Sequence, residues 1–177
     1  TVRRLRDYEW SGAIPMLLVH LSVFGAIWTG VTLESVVCCA VLYSVRMWAV
    51  TAGYHRYFSH RSFKTGRIFQ FVLAFLAQAS AQRGALWWAA HHRVHHKKSD
   101  QPGDAHSPVV DGFWYSHIGW LFYKNSETEW SQIKDFAKYP ELVWLNKHFL
   151  VPPVLMALAT VWLFGMPGLL IGFMLST

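Results

Sequence analysis

Four of the ten histidines in this 177-residue chain fall within one stretch of six, His91-His92-Arg93-Val94-His95-His96. His92, His95 and His96 stand at i, i+3 and i+4, so a helix would project all three from one face. Imidazole is a poor apolar filler and titrates near neutrality, so crowding three rings serves no packing purpose. A transition metal explains the spacing better. A second pair, His55 and His60, lies upstream and is five residues apart. Five residues carry a regular helix about 140° past a full turn, so both could not face one point. A helix end unwinding near Ser59 would let them converge, with His55 closing the helix and His60 in or just past the break. Imidazole suits Fe, Zn, Cu and Ni, whereas Ca and Mg prefer oxygen. Five or six histidines exceed the needs of one tetrahedral zinc, so two metals are the simpler inference. The zinc-protease pattern H-E-x-x-H is absent, since His91 is followed by His92. G-x-S-x-G, Walker and Rossmann patterns are absent too, which leaves hydrolase and nucleotide-binding readings without an anchor.

The elements that must position these boxes are oily. Apolar residues make up 53% of the chain and mean hydropathy is +0.22, which points to a membrane protein. Ten Trp, twelve Phe and seven Tyr suit the aromatic belts at a bilayer surface. Residues 13–32 hold one histidine, His20, and no formal charge, and are long enough to cross a bilayer. Residues 33–52 form a second span, with Glu34 at its start and Arg46 toward its end. The run 68–81 is short for a span and reads as an interfacial helix leading into the cluster. Residues 99–104 read as a loop, 113–123 as an aromatic interfacial helix, and 125–146 as polar with a break at Pro140. Residues 148–164 are a third span, Gly165 to Gly168 a turn, and 168–177 the start of a fourth span. The chain begins with Thr1 and ends inside an apolar run, so it reads as one domain, 1–177, incomplete at its C-terminus.

The net charge of +6 is arranged around these spans. Arg3, Arg4 and Arg6 precede the first span, and all but one of the remaining cations lie between Arg56 and Lys147. The positive-inside rule then puts the N-terminus and the central segment in the cytoplasm, and argues against nucleic acid as the partner. Cys38 and Cys39 are adjacent in an apolar run and match neither a metal spacing nor a disulfide framework. No short apolar region ends in a cleavage site of the signal-peptide kind.

The boxes His55-Arg-Tyr-Phe-Ser-His60-Arg-Ser-Phe and His92-Arg-Val-His95-His96, with Asp104-Ala-His106-Ser-Pro and Ser116-His-Ile-Gly-Trp120, resemble the integral-membrane fatty acid desaturases. The acyl-CoA Δ9 (stearoyl-CoA type) branch in its bacterial form is the most similar. The resemblance implies an all-α integral-membrane helical bundle whose cytoplasmic interfacial helices carry the histidine boxes, in a bacterial inner membrane. It implies two irons held by His55, His60, His92, His95 and His96, with His91 a neighbour of the ligands. It implies that O2 is consumed and two hydrogens leave adjacent methylenes of a saturated acyl-CoA or acyl-lipid. Two electrons come from a cytochrome b5-like or ferredoxin-like donor, and water is the by-product. Gln82 and Trp88 match acyl-channel positions. His106 and His117 lie in matching motifs without being ligands, while His148 reads as interfacial. Asp100 and Asp104 are candidates to orient ligand histidines, and Lys97 and Lys98 to face a headgroup, a CoA phosphate or an acidic donor. The family pattern has a third histidine box and a further ligand region beyond where this sequence stops. Two rivals follow: a histidine-box lipid hydroxylase, or a membrane fragment without catalysis.

Overall fold

The computed structural model describes residues 10–123 and 127–177; Arg3, Arg4 and Arg6, which carried the charge argument at the N-terminus, lie outside them. Among the described residues the regular elements are helices, with no strand. Helix α1 (Trp10–Ser22) continues through a 3₁₀ turn (Val23–Gly25) into the short α2 (Ala26–Thr29). The chain reverses at Gly30–Thr32, and α3 (Leu33–Ala49) starts with a reciprocal cap. There the Ser35 N–H donates to Thr32 Oγ1 at 3.2 Å and the Thr32 N–H to Ser35 Oγ at 3.1 Å.

Helix α3 does not end where span 2 was expected to. It runs without a break into a π-helix, Val50–Ser59, so the continuous stretch Leu33–Ser59 is 27 residues long and holds 18 consecutive residues of mean hydropathy 1.6. Among the described residues it is one of two stretches long and apolar enough to cross a membrane; the other is Val151–Leu175, of 25 residues, with 18 consecutive residues of mean hydropathy 2.1. Only 22% of the most apolar 18 residues of each is buried, so most of that apolar surface faces outward. That is unlike the core helix of a soluble domain, and Trp28 on α2 and Trp162 within Val151–Leu175 stand 82% and 84% exposed.

Val151–Leu175 is bent. Gly165, inside α10 (Val151–Pro167), has φ 64° and ψ −157° and kinks the helix just before a second π-wound segment, Gly168–Leu175. A β-carbon on Gly168 would meet the Thr160 carbonyl. Eight residues of straight helix would hold those positions about 12 Å apart, so the last segment doubles back on α10. It then lies along α3, with Gly172 against Cys38. Arg46, 2% exposed, ties its end down. The guanidinium donates to Ser176 Oγ, to Thr177 Oγ1 at 2.7 Å, to the Ala79 carbonyl at 3.2 Å and to the Leu42 carbonyl at 3.1 Å.

The closely packed core lies elsewhere, among the π-helix, α4 (Arg67–Gln78), α5 (Ala85–Lys98), α8 (Lys134–Ala137) and α9 (Pro140–Lys147). Tyr54, Phe58, Leu73, Leu86, Ile133, Leu142 and Leu145 are wholly or almost wholly buried there. This module carries both histidine boxes. After the second box and the short α6 (Pro108–Asp111), the single aromatic helix expected over 113–123 is instead the short α7 (Phe113–His117) followed by a 3₁₀ turn, Gly119–Phe122.

Candidate metal centre

The first box depends on the π-helix. Its backbone bonds close five residues apart, as where the His60 N–H donates to the His55 carbonyl at 3.1 Å, and the Ser59 side chain adds a bond from Oγ to the Tyr54 carbonyl at 2.7 Å. The wider turn stacks residues that are five apart, whereas the α-helical turn would splay them. His55 and His60 therefore converge without the unwinding expected near Ser59. Their ring centroids are 4.5 Å apart and their Nε2 atoms 3.2 Å apart.

The second box depends on how α5 begins. Gly84 precedes it and has no side chain to cap the first free N–H groups. Two side chains from other helices do so: Gln78 Oε1 accepts from the Ala85 N–H at 3.0 Å, and Asn146 Oδ1 from the Trp87 N–H at 2.8 Å. Each is itself held, Gln78 Nε2 by the Leu145 carbonyl at 3.1 Å and Asn146 Nδ2 by Thr128 Oγ1 at 3.1 Å. A β-carbon on Gly84 would come within 2.8 Å of the Asn146 Cα, so only glycine lets α9 approach this closely.

With both helices placed, His92 and His96 face the first box. Their centroids are 4.5 Å apart and their Nε2 atoms 3.0 Å apart. Across the helices, His55 is 4.8 Å from His92 and His60 is 4.6 Å from His96, centroid to centroid. One nitrogen from each of the four rings lies within 4.8 Å of the others. Two imidazole nitrogens each about 2.1 Å from one ion stand roughly 3.0–3.4 Å apart, which is the spacing within each pair. The donor set therefore fits a transition metal. Two of its rings are also held neutral. Burial first, and then His96, His55 and the other rings, push the His92 pKa down to about 3. Burial and the neighbouring His55, His96 and Arg93 lower His60. Neutral imidazoles keep the lone pair that a metal needs.

His95 joins a different group. With Asp104 and His106 it forms a second set of donors within 4.8 Å. Its ring stacks on His106 at 4.3 Å, and its Nδ1 lies 2.8 Å from Asp104 Oδ1. The Asp104 side chain is fully buried and also accepts from the Asp100 N–H at 3.0 Å and the His106 N–H at 3.3 Å. Burial alone would raise this carboxyl, but the hydrogen bond from His95 and the two backbone donors outweigh it and hold the group below its ordinary value. An ionised Asp104 keeps the His95 proton on Nδ1 and leaves Nε2 as the free acceptor. Its oxygens are thus occupied in orienting His95. Centroid distances of 6.1 Å to His92 and 5.6 Å to His96 place His95 beside the four-ring group rather than inside it.

Residues matched to the family model of the fatty acid desaturases run from 10 to 176 and take in both boxes. The chain belongs to the fatty acid desaturase family. Three similar curated proteins give the range. The chain is 29% identical over 75% of its length to a probable acyl-CoA desaturase of Schizosaccharomyces pombe. It is 34% identical over 74% to a hex-5-enoyl-[acyl-carrier protein] acetylenase of Moorena producens. It is 36% identical over 66% to an sn-1 stearoyl-lipid 9-desaturase of Anabaena variabilis. It spans between 28% and 47% of the length of these relatives. Family membership and the two outward-facing apolar stretches together make this desaturase-family chain a membrane protein.

The remaining candidates scatter. Trp88 stacks on His92 at 4.6 Å and lies 5.3 Å from Tyr54, so it walls the four-ring group. Gln82 is exposed in the turn between α4 and α5, flanked by Ala81 and Arg83 at φ 61° and 64°. Among the described residues no hydrogen bond or ring contact joins it to Trp88. His91 turns away, with Nδ1 2.9 Å from the Trp87 carbonyl and its ring tilted against Trp87 at 4.1 Å. His117 is exposed against Phe113, and His148 against Trp144. Lys97 donates to Gln132 Oε1 at 2.6 Å. Gln78 and Asn146 were missed as supports of the site. Gln78 carried a signal, since a polar side chain inside an apolar run needs a partner when buried. Asn146 carried none.

Proposed function

We propose that this chain is the histidine-box part of an O2-dependent fatty acyl desaturase that introduces a cis double bond at the Δ9 position. The observation that carries the reading is the convergence of four imidazoles from two helices inside a segment that matches the desaturase family from end to end. The Δ9 position rests on the Anabaena relative, named for that position. The substrate class, a fatty acyl chain on CoA or lipid, rests on the same set of relatives.

His55, His60, His92 and His96, with His95 beside them, are the residues that would hold two irons. When bound, the metals supply activation of O2 with two electrons from a cytochrome b5-like or ferredoxin-like donor. The chain's own residues orient and shield. Asp104 holds the His95 proton at Nδ1. Trp88 covers one face of His92 and excludes water from it. The outward apolar helices seat the module at the surface of the bilayer from which the acyl chain comes, with N-terminus and boxes on the cytoplasmic side of a bacterial inner membrane.

The test is to express the complete reading frame in a host lacking acyl desaturases and analyse its fatty acids by gas chromatography–mass spectrometry. A new monoene with its double bond between carbons 9 and 10 is expected. A hydroxylated product, or a double bond elsewhere, would overturn the corresponding part of the reading.

A further inference from the structure

Arg93 lies inside the second box but bears no metal donor. Its side chain is 17% exposed, and it makes five hydrogen bonds. Nε donates to the Ser59 carbonyl at 3.1 Å. Nη1 donates to the Gln132 carbonyl at 2.7 Å and to Asp135 Oδ1 at 3.0 Å. Nη2 donates to the Phe58 carbonyl at 2.6 Å and to Asp135 Oδ2 at 3.0 Å. A guanidinium has five N–H donors, so every one is spent. The bidentate pair with Asp135 balances the charge, and the Phe136 ring lies 5.9 Å beneath it.

The two carbonyls decide what this network does. Phe58 and Ser59 are the last residues of the π-helix, where carbonyls run out of partners further along the helix. Arg93 satisfies both from the middle of α5, one residue after His92 and three before His96. A single planar group thus joins the helix carrying His55 and His60 to the helix carrying His92 and His96, within one turn of all four rings. Lysine could not repeat this, having three donors on a point charge and no fork.

We propose that Arg93 is a positioning residue of the metal centre: its fork on the Phe58 and Ser59 carbonyls sets the register of the π-helix against α5, and with it the spacing of the four imidazoles. This rests on the metal-centre reading above. The experiment is a Co2+ titration of the purified, metal-free protein from the complete reading frame, followed by the visible absorption of imidazole-bound Co2+. Arg93→Lys and Arg93→Gln should weaken binding by about tenfold or more and alter the spectrum, while Arg93→Lys keeps wild-type helix content and a cooperative thermal transition at a lower midpoint. Arg61→Gln is the control. Arg61 reaches the same Asp135 at 3.2 Å without bonding either carbonyl, and its loss should change affinity by less than about twofold.

Wild-type affinity and spectrum in both Arg93 variants would overturn the proposal, as would an equal loss in Arg61→Gln. Failure of Arg93→Lys to fold would also overturn it, because the residue would then serve stability rather than placement. Should only Arg93→Gln fail to fold, Arg93→Lys decides alone. A wild-type protein that takes up no Co2+, or a His92→Ala variant that binds like wild type, would sink the metal-centre reading and this proposal with it.

Discussion

His95 and His96 are neighbours in the chain, yet their rings serve different groups of donors. His96 and His92, one helical turn apart, close on the first box, whereas His95 swings toward the loop after α5 and is held by Asp104. Removing a ligand and removing the group that orients it should therefore differ in degree. His95→Ala in the protein from the complete reading frame is expected to lose bound iron and all desaturation. Asp104→Asn should retain His95 but weaken metal binding about 10–100-fold, because the tautomer and ring angle are no longer imposed. His148→Ala, exposed against Trp144, should keep wild-type iron. Metal analysis of the three variants checks this, and normal iron in His95→Ala would remove that residue from the ligand set. Spacing alone announced that these rings cluster, because i, i+3 and i+4 share a helical face. It could not say that one would turn aside, since the loop that captures His95 is nine residues further on and carries no periodic signal.

At the scale of the element, two features decide the site, and only one left a trace in the residues. A helix was legible from residue 33 onward in the apolar run, though its cap at Thr32 was not read from the sequence. The change to a wider turn over Val50–Ser59 was not, because the hydrogen-bond register is chosen by packing rather than by residue type. Placement of α5 was half legible, in Gln78 but not in Asn146. Gly84→Ala tests that placement. Its new β-carbon would collide with Asn146 and loosen the bonds to the Trp87 and Ala85 N–H groups. A loss of about 1–3 kcal/mol in folding stability is expected, seen as a lower thermal midpoint, and an unchanged midpoint would show that α9 can retreat freely. A second tie crosses the same module: Arg67 on α4 forks onto Glu141 on α9 at 2.6 and 2.7 Å. That hydrogen bond lowers the Glu141 carboxyl from its ordinary 4.5. A carboxyl lowered by folding stabilises the fold above its unfolded value, and that contribution disappears as pH falls through the lowered value. The midpoint of wild type should thus exceed that of Glu141→Gln by a small margin at neutral pH, with the two converging below pH 4.5. The margin is small because the Arg67 side chain is 61% exposed and screened. A gap that persists in acid would assign the effect to packing.

For the molecule as a whole, the division of labour is between an outward-facing apolar layer and a densely packed module that carries both histidine boxes. Composition announced the first, and the histidines announced the second. How the two are joined was not legible, because Arg46 meets Ala79, Ser176 and Thr177 from positions far apart in the chain. If α1 with α2, and then α3 with the π-helix, each cross a bilayer, the turn at Gly30–Thr32 and the loop at Ser99–Asp104 must lie on opposite sides. The apolar stretch between them fits one crossing: Leu33–Ser59 is 27 residues, about 40 Å of helix at 1.5 Å per residue, against a hydrocarbon core of about 30 Å. Arg67–Gln78, at 12 residues or about 18 Å, cannot make another. Both test positions are accessible, since Val31 is 60% exposed and Gln101 is exposed. Val31→Cys should react with a membrane-impermeant maleimide on intact cells, and Gln101→Cys only after the cells are opened. Cys38 and Cys39 are partly or wholly shielded within α3 and supply the background to subtract. Labelling of Gln101→Cys on intact cells would place the histidine boxes outside, where neither a cytoplasmic electron donor nor an acyl-CoA could reach them. Equal labelling of both positions on intact cells would mean that α3 lies along the surface instead of crossing it.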